Sequence, residues 1–512
     1  MGIKRYYADK DNTITNAFEP NLVTRGTGSN MGLADSLEVF SIYAQESSAS
    51  LEAARIILQF PITSSEISNI TTILEDRNNG KIPASGSVDF YLRMSNVAHE
   101  QTVPKNFTIV VSAVSQSWQE GNGMDMENYS DLTYGGTGSN WINAAANTPW
   151  VDVDGAASEG GSYLSASSYS EFIYEQFFDN GTEDLEIKVT GLVEQWMLGI
   201  SQNNPSGDPG FPNYGFGVYL SSSQENGKQS YYTKKFSARS SEYFFSRPVI
   251  EARWDNSQKD NRGNFILSSS TFTSDDNLNT LYFYNYYRGQ PTNIANIGPT
   301  VPIYVSVFTS RSGSESLTTT PENPVTGGWV STGVYSASFA LSTTESVVYD
   351  RWFSASATGD GIDAVTSTIY NTGSITIVDQ KPQYHFSIPQ YVTSITNLKQ
   401  FYKKGDTARF RLFTRKKDWE PTIYTVASTE IRNSIVDDAY FKIFRMYDNK
   451  EVVAYGTGSL NHTRLSYDVS GSYFDFDMSL LESDYLYGIK FLYYYNGEYQ
   501  EQKEVFKFRV ED

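Results

Sequence analysis

The sequence predicts an all-β protein made of three successive sandwiches, and three observations predict it. The first is hydrophobic alternation at period two. In Ala54-Arg55-Ile56-Ile57-Leu58-Gln59-Phe60, one face carries Ala54, Ile56, Leu58 and Phe60. Val88, Phe90, Leu92 and Met94 repeat the pattern, as do Phe107, Ile109, Val111 and Ala113. Each run buries one face and leaves the other to solvent or a partner. The second is composition: aromatics make up 15% of the 512 residues and charged side chains only 19%, a tyrosine-rich β composition. The third is punctuation by Asn, Gly, Ser and Pro, as at Asn78-Asn79-Gly80 and Pro83-Ala84-Ser85-Gly86, which breaks the runs into short strands.

One helix interrupts the strands. Leu192, Val193 and Trp196 have helical spacing after the strand Leu185–Val189, and Trp196 reads as core. The polar stretch Asn256-Ser257-Gln258-Lys259-Asp260-Asn261-Arg262-Gly263 reads as a linker, so the first domain spans 1–255. The second unit, 256–380, contains Thr280–Tyr287, Ile303–Phe308, Gly333–Phe339 and Tyr349–Trp352, a pattern similar to Ig-like modules. A joint follows at Gln380-Lys381-Pro382 and Ile388-Pro389. The third unit, 381–512, is also Ig-like. It holds Thr407–Phe413 and the pair Ala439–Tyr447 and Glu451–Tyr455 around the turn Asp448-Asn449-Lys450. Its Leu481–Ile489 segment has the pattern of a tyrosine corner. The last strand buries Phe506, Phe508 and Val510. Three Gly-Thr-Gly-Ser segments, beginning at Gly26, Gly136 and Gly456, are irregularly placed and read as loops.

Charge and chemistry narrow the function. A formal charge of −20 argues against nucleic-acid binding. Tyr232-Thr233-Lys234-Lys235 and Arg415-Lys416-Lys417 read as solvated strand ends. With no cysteine, disulfides, thiolate metal sites and cysteine nucleophiles are excluded. No apolar run reaches membrane-spanning length, and Met1–Tyr7 lacks the apolar stretch of a signal peptide. The expectation is a protein made in a cytoplasm, used without export through a signal peptide, and contacting neither nucleic acid nor membrane. His99, His385 and His462 share no metal-ligand spacing, and no G-x-S-x-G elbow is present. Asp125 and Glu127 near Trp118 are the carboxylates a sugar-cleaving cleft would use, but such pairs also arise by chance in an acidic chain. Asp152 and Asp154 are candidate ligands for a structural Ca²⁺, and Asp9-Lys10-Asp11-Asn12 is similarly oxygen-rich; solvated acidic turns are the plainer reading of both. No catalytic residue and no other cofactor is expected. Tyr493, Tyr495 and Tyr499 are candidate contact residues; alternation puts Tyr493 and Tyr495 on one face and Tyr494 on the other.

A series of short motifs spans the first domain. It runs Trp118-Gln119-Glu120-Gly121, Asn140-Trp141, Asp184–Trp196, Asn213–Val218, Phe236-Ser237-Ala238-Arg239 and Arg247–Trp254. In this order they resemble the DNRLRE-type β-sandwich module, which implies a jelly roll serving as a cell-surface, carbohydrate-contacting or scaffolding unit. Phe236-Ser237-Ala238-Arg239-Ser240 departs from that pattern, with an inserted Ala and no following Glu. Thr13–Phe18, Asp125–Asp131, Ser230–Phe236 and Tyr467–Asp475 make the chain resemble virion structural proteins of tailed phages, especially of marine cyanobacterial type. That resemblance implies a non-enzymatic virion protein of neck, tail attachment or capsid decoration. Its partners would be copies of itself and portal, neck, tail or major capsid proteins. A carbohydrate-binding adhesin at the host surface is the alternative, and a glycan-degrading enzyme the third reading.

Overall fold

The computed structural model describes residues 2–64, 67, 70–124, 138–152, 154–164, 169–199, 212–295, 297–298, 300–354, 367–378, 390–417, 433–495 and 497–512. The expected joint at Gln380-Lys381-Pro382 and Ile388-Pro389 falls outside them. The chain is all-β and divides into two compact units, Gly2–Asp255 and Asn256–Asp512. No described helix is long and apolar enough to cross a membrane.

The first unit contains β1 (Ile3–Tyr7), β2 (Lys10–Thr15), β3 (Ser36–Tyr43), β4 (Leu51–Gln59), β5 (Asp89–Met94) and β6 (Phe107–Ala113). After a small hairpin of β7 (Asn143–Ala145) and β8 (Thr148–Pro149) come β9 (Tyr174–Phe178), β10 (Leu185–Lys188), β11 (Phe216–Leu220), β12 (Tyr231–Ser237) and β13 (Val249–Arg253). A four-stranded sheet runs β1-β13-β5-β10, and a seven-stranded sheet runs β12-β3-β4-β11-β6-β9 with β2 also on β4. Every pairing in the two sheets is antiparallel. The alternating runs explain the layers: Ile56, Leu58, Phe60, Phe90, Leu92, Phe107 and Ile109 all meet in one core. The helix Thr190–Leu198 closes that core with Trp196, whose ring meets Phe216 edge-on at 4.8 Å.

The expectation that each strand leaves its second face open fails for β4. Ile57 and Ala53, on the face opposite Ile56, are buried with Ile14, Trp118, Trp141 and Trp150 in a second core. Three tryptophans from the excursion between β6 and β9 cover the outside of the seven-stranded sheet. Arg55 lies on this face too, over the rings of Trp141, Tyr163 and Tyr219 and paired with Glu225 at 2.7 Å. The unbroken Ile56-Ile57-Leu58 run was the available signal, since a strand with one solvated face does not place Ile on both sides. A second helix, Ile73–Asn78, was also signalled: Thr72 and Glu75 form a reciprocal capping box.

In the second unit, seven strands between Asn279 and Thr376 form one sheet wrapped round a core of Leu281, Tyr335, Phe339 and Trp352. Strand Val325–Ser331 turns the corner. It pairs with Ile303–Phe308 through Val325 to Gly327 and with Val334–Leu341 from Gly328 onward. A Cβ on Gly327 would lie 2.7 Å from the Ser336 carbonyl oxygen, so this crossing requires glycine. From Tyr391 onward, a four-stranded and a six-stranded sheet enclose stacked aromatics, with Phe441 and Phe474 centroids 4.1 Å apart. Tyr487 is the corner tyrosine: its hydroxyl donates to the Glu482 carbonyl at 2.9 Å. Asn449 takes φ of 56° in the expected turn.

Candidate functional site

Four of the motifs scattered along the first unit meet in one polar clasp. The Trp118 indole N–H donates to the Tyr214 carbonyl at 2.8 Å, joining two of them. Glu120 accepts from Arg239 Nε and Nη2, both at 2.7 Å, and from the Asp11 amide at 2.9 Å. The departure noted in the Arg239 motif is thus met by a carboxylate 119 residues away. Asn30 Nδ2 donates to the Glu120 and Ser139 carbonyls at 2.7 and 2.8 Å. Gly121, at φ 83°, lets Asn30 approach: a Cβ there would stand 2.5 Å from Asn30 Oδ1. Asn12 Nδ2 also donates to the Ser139 carbonyl, and the Trp150 indole donates to Asn140. These groups hold the tryptophan-bearing excursion on the sheet, and their hydrogen-bonding capacity is spent on one another.

Asp11 is the exception. It is fully buried, with Oδ2 accepting from the Arg239 amide and Oδ1 unpartnered. Burial pushes its carboxyl up to about 7; the Arg239 amide opposes the rise and the Glu120 charge adds to it. A folded value above the unfolded one means the protonated form stabilises the fold. That stability is complete below about pH 4 and is lost as pH rises through about 7. Asp11→Asn is therefore expected to remove part of the fall in the first unit's melting temperature between about pH 4 and about pH 8. An unchanged slope in that variant would exclude Asp11 as the source.

The other expected site residues separate. Asp152 and Asp154 are exposed, and Asp152 Oδ1 accepts from the amides of Asp154 and Ala156 at 3.0 and 2.8 Å, an Asx-type turn. Among the described residues no three His, Asp or Glu side chains gather as metal ligands. Asp125, Glu127 and His385 lie outside the described residues. His99 belongs to the first unit and His462 to the second. Lys234 is not at a solvated strand end. It is 1% exposed, lies over the rings of Phe178 and Phe236, and donates to Asn96 Oδ1 and the carbonyls of Gly181 and Glu183. Burial brings its ammonium down to about 8.

The tyrosines divide as the strand does, but with one correction. Tyr493 is 2% exposed and shares a hydrogen bond of 2.6 Å with Thr393, so it is core and offers no contact surface. Tyr495 is half-buried. Tyr499 is 49% exposed and stands opposite Tyr494, with centroids 4.8 Å apart. Tyr286, Tyr287 and Tyr447 are further exposed rings that the sequence reading did not single out. Period two separates faces, but it does not say which face another sheet covers.

The strand pairing defines an all-β protein of sandwich type. No protein-family model matches the chain, and no curated protein matches it. Among solved structures, a chimeric titin Z1Z2 functionalized with a KLER exogenous peptide from decorin is similar at 12% identity and TM-score 0.15. It spans 46% of this chain and 89% of its own. A marsupial T cell receptor is similar at 9% identity and TM-score 0.15, over 49% of this chain and 70% of its own. An E. coli alpha-2-macroglobulin in its native conformation is similar at 10% identity and TM-score 0.15, over 98% of this chain and 32% of its own.

Proposed function

We propose that the chain is a non-enzymatic structural or accessory protein of a tailed-phage particle, in neck or tail attachment or capsid decoration. The observation that carries the reading is the display of tyrosine on paired strands. Tyr494 and Tyr499 stand side by side across a hairpin, on the face opposite the buried Tyr493. Tyrosine offers large contact area, few rotatable bonds and a polar tip, which suits assembly contacts. Many copies in one particle turn modest contacts into firm attachment through avidity. Trp118, Glu120 and Arg239 fit a scaffolding role because their polar groups tie distant segments of the chain to one another. The phage assignment itself rests on the sequence resemblance.

Immunogold electron microscopy of purified particles from the source lysate tests this. Regular labelling over head, neck or tail is the expected result. Labelling confined to fibre tips would favour the adhesin, and unlabelled particles in a lysate rich in the protein would overturn the virion role.

A further inference from the structure

A pocket of about 450 Å³ lies in the first unit beside the segment that follows β2. Ala17 and Pro20 of that segment, Ile42 of β3 and Tyr232 of β12 give it apolar walls. Ala17, Ile42 and Tyr232 belong to one small apolar cluster, so this surface is held in place from behind. The charged groups lining the pocket are both acidic. Glu19 is half-buried, and Glu52, on β4, is only 1% exposed. No Lys or Arg lines it.

The charge of Glu52 is incompletely answered. Its Oε2 accepts from the Phe18 amide at 2.8 Å. The Gln45 side chain, with its amide nitrogen toward the carboxylate, donates to Oε1 at 2.8 Å and to Oε2 at 3.1 Å. Both donors are neutral. Among the described residues no ion pair to Glu52 forms. Arg25 acts on it only from a distance: its Nη1 donates to the Asn16 and Leu51 carbonyls at 2.7 and 2.9 Å, and its guanidinium lies 4.1 Å from the Phe18 ring centroid. Burial therefore still pushes the Glu52 carboxyl up, against the Phe18 amide and the Arg25 charge. A buried carboxylate without a counter-ion is costly. A carboxylate has about four acceptor sites, and Oε1 has used one of its share.

We propose that this pocket takes a lysine side chain of a partner protein, its ammonium on Glu52 and its alkyl stem against Ile42 and Tyr232. The inference rests on the assembly reading and supplies the chemistry of one contact. Charge complementarity sets the sign: a chain of net charge −20 draws cationic partner surfaces, and here a buried carboxylate waits behind apolar walls. The apolar walls suit the methylene stem of lysine, which buries beside such surface while its head finds charge. Lysine is favoured over arginine because Gln45 already donates to both carboxylate oxygens. That occupies the edge a planar guanidinium would take bidentately, whereas a compact ammonium needs one open acceptor site.

The test is saturation-transfer NMR with the full chain and an end-blocked Gly-Lys-Gly peptide, a method that reads weak binding to a large protein. Saturable binding is expected, weakened by added salt. Loss of the charge-assisted contact should weaken it at least about tenfold, both in Glu52→Gln and with norleucine in place of the peptide's lysine. Gln45→Lys should block the site with an ammonium from within the chain and weaken binding as much, with no fall in melting temperature. It carries the test should Glu52→Gln fail to fold. Any of five results overturns the inference: no saturable binding, equal binding of the norleucine peptide, binding indifferent to both variants, an arginine peptide binding as tightly, or the free diamine putrescine binding more tightly than the peptide, which would assign the pocket to free polyamines. The assay needs no virion, so its failure is distinct from unlabelled particles in the immunogold experiment.

Discussion

Glu251→Ala is expected to destabilise the first unit by about 3–5 kcal/mol, the usual cost of stranding buried charges. Glu251 lies on β13, inside the four-stranded sheet, and is 2% exposed. Its Oε2 accepts from Arg5 Nε at 2.7 Å and Arg93 Nη1 at 3.2 Å, and its Oε1 from Arg253 Nε at 2.7 Å. Burial alone would raise its pKa. The three guanidiniums outweigh burial and hold the carboxyl well below the usual range. A depressed folded value gives stability that is present above the ordinary glutamate pKa and lost as pH falls through the folded one. The network therefore opposes Asp11 in sign, and the two variants should change the pH profile of melting in opposite directions. Glu251→Gln keeps the volume and one acceptor oxygen but removes the charge and turns an NH2 donor toward the guanidiniums, so it should fall between wild type and alanine. Calorimetry of the first unit's transition measures both. A loss in Glu251→Ala below about 1 kcal/mol would mean that Arg5 and Arg253 find other partners or reach water.

Trp150→Ala is expected to cost about 3–5 kcal/mol, as for other fully buried large aromatics, but with a local signature. Trp150 has no exposed surface, belongs to the outer core with Ile57, Trp118 and Trp141, and donates its indole N–H to Asn140 at 2.8 Å. Its removal opens a cavity and leaves the Asn140 carbonyl without that donor. Hydrogen exchange should quicken first at amides that tie the excursion together: Trp150 to Ile142, Ser158 to Trp150 and Gln119 to Ala144. Amides of β5, in the other sheet, should keep their protection. Trp196→Ala, in the inner core, should instead loosen both sheets. Uniform acceleration in Trp150→Ala would show that the outer core is not a separate cooperative layer.

Much of the local structure was legible from residues near one another in the chain. The runs around Ile56, Phe90 and Ile109 became strands of one core because period-two alternation is a property of the strand itself. The helix at Leu192–Trp196, the corner at Tyr487 and the turn at Asn449 likewise follow from neighbours within a few residues. Long-range partnerships were not legible. Nothing near Lys234 announces that Gly181 and Glu183 will surround its ammonium, and nothing near Arg239 points to Glu120. The motif series was visible, but not its use as a clasp. Tyr493 and Tyr499 look alike in sequence, yet one is core and the other surface.

The sequence by itself determined an all-β chain and the inner faces of its strands, because alternation, turn residues and composition act locally. Only the tertiary structure decided that the seven-stranded sheet is covered on both faces and that Asp11 and Lys234 are buried. Those outcomes depend on which distant segments pack together, and burial and charge pairing are set by that packing rather than by sequence neighbours.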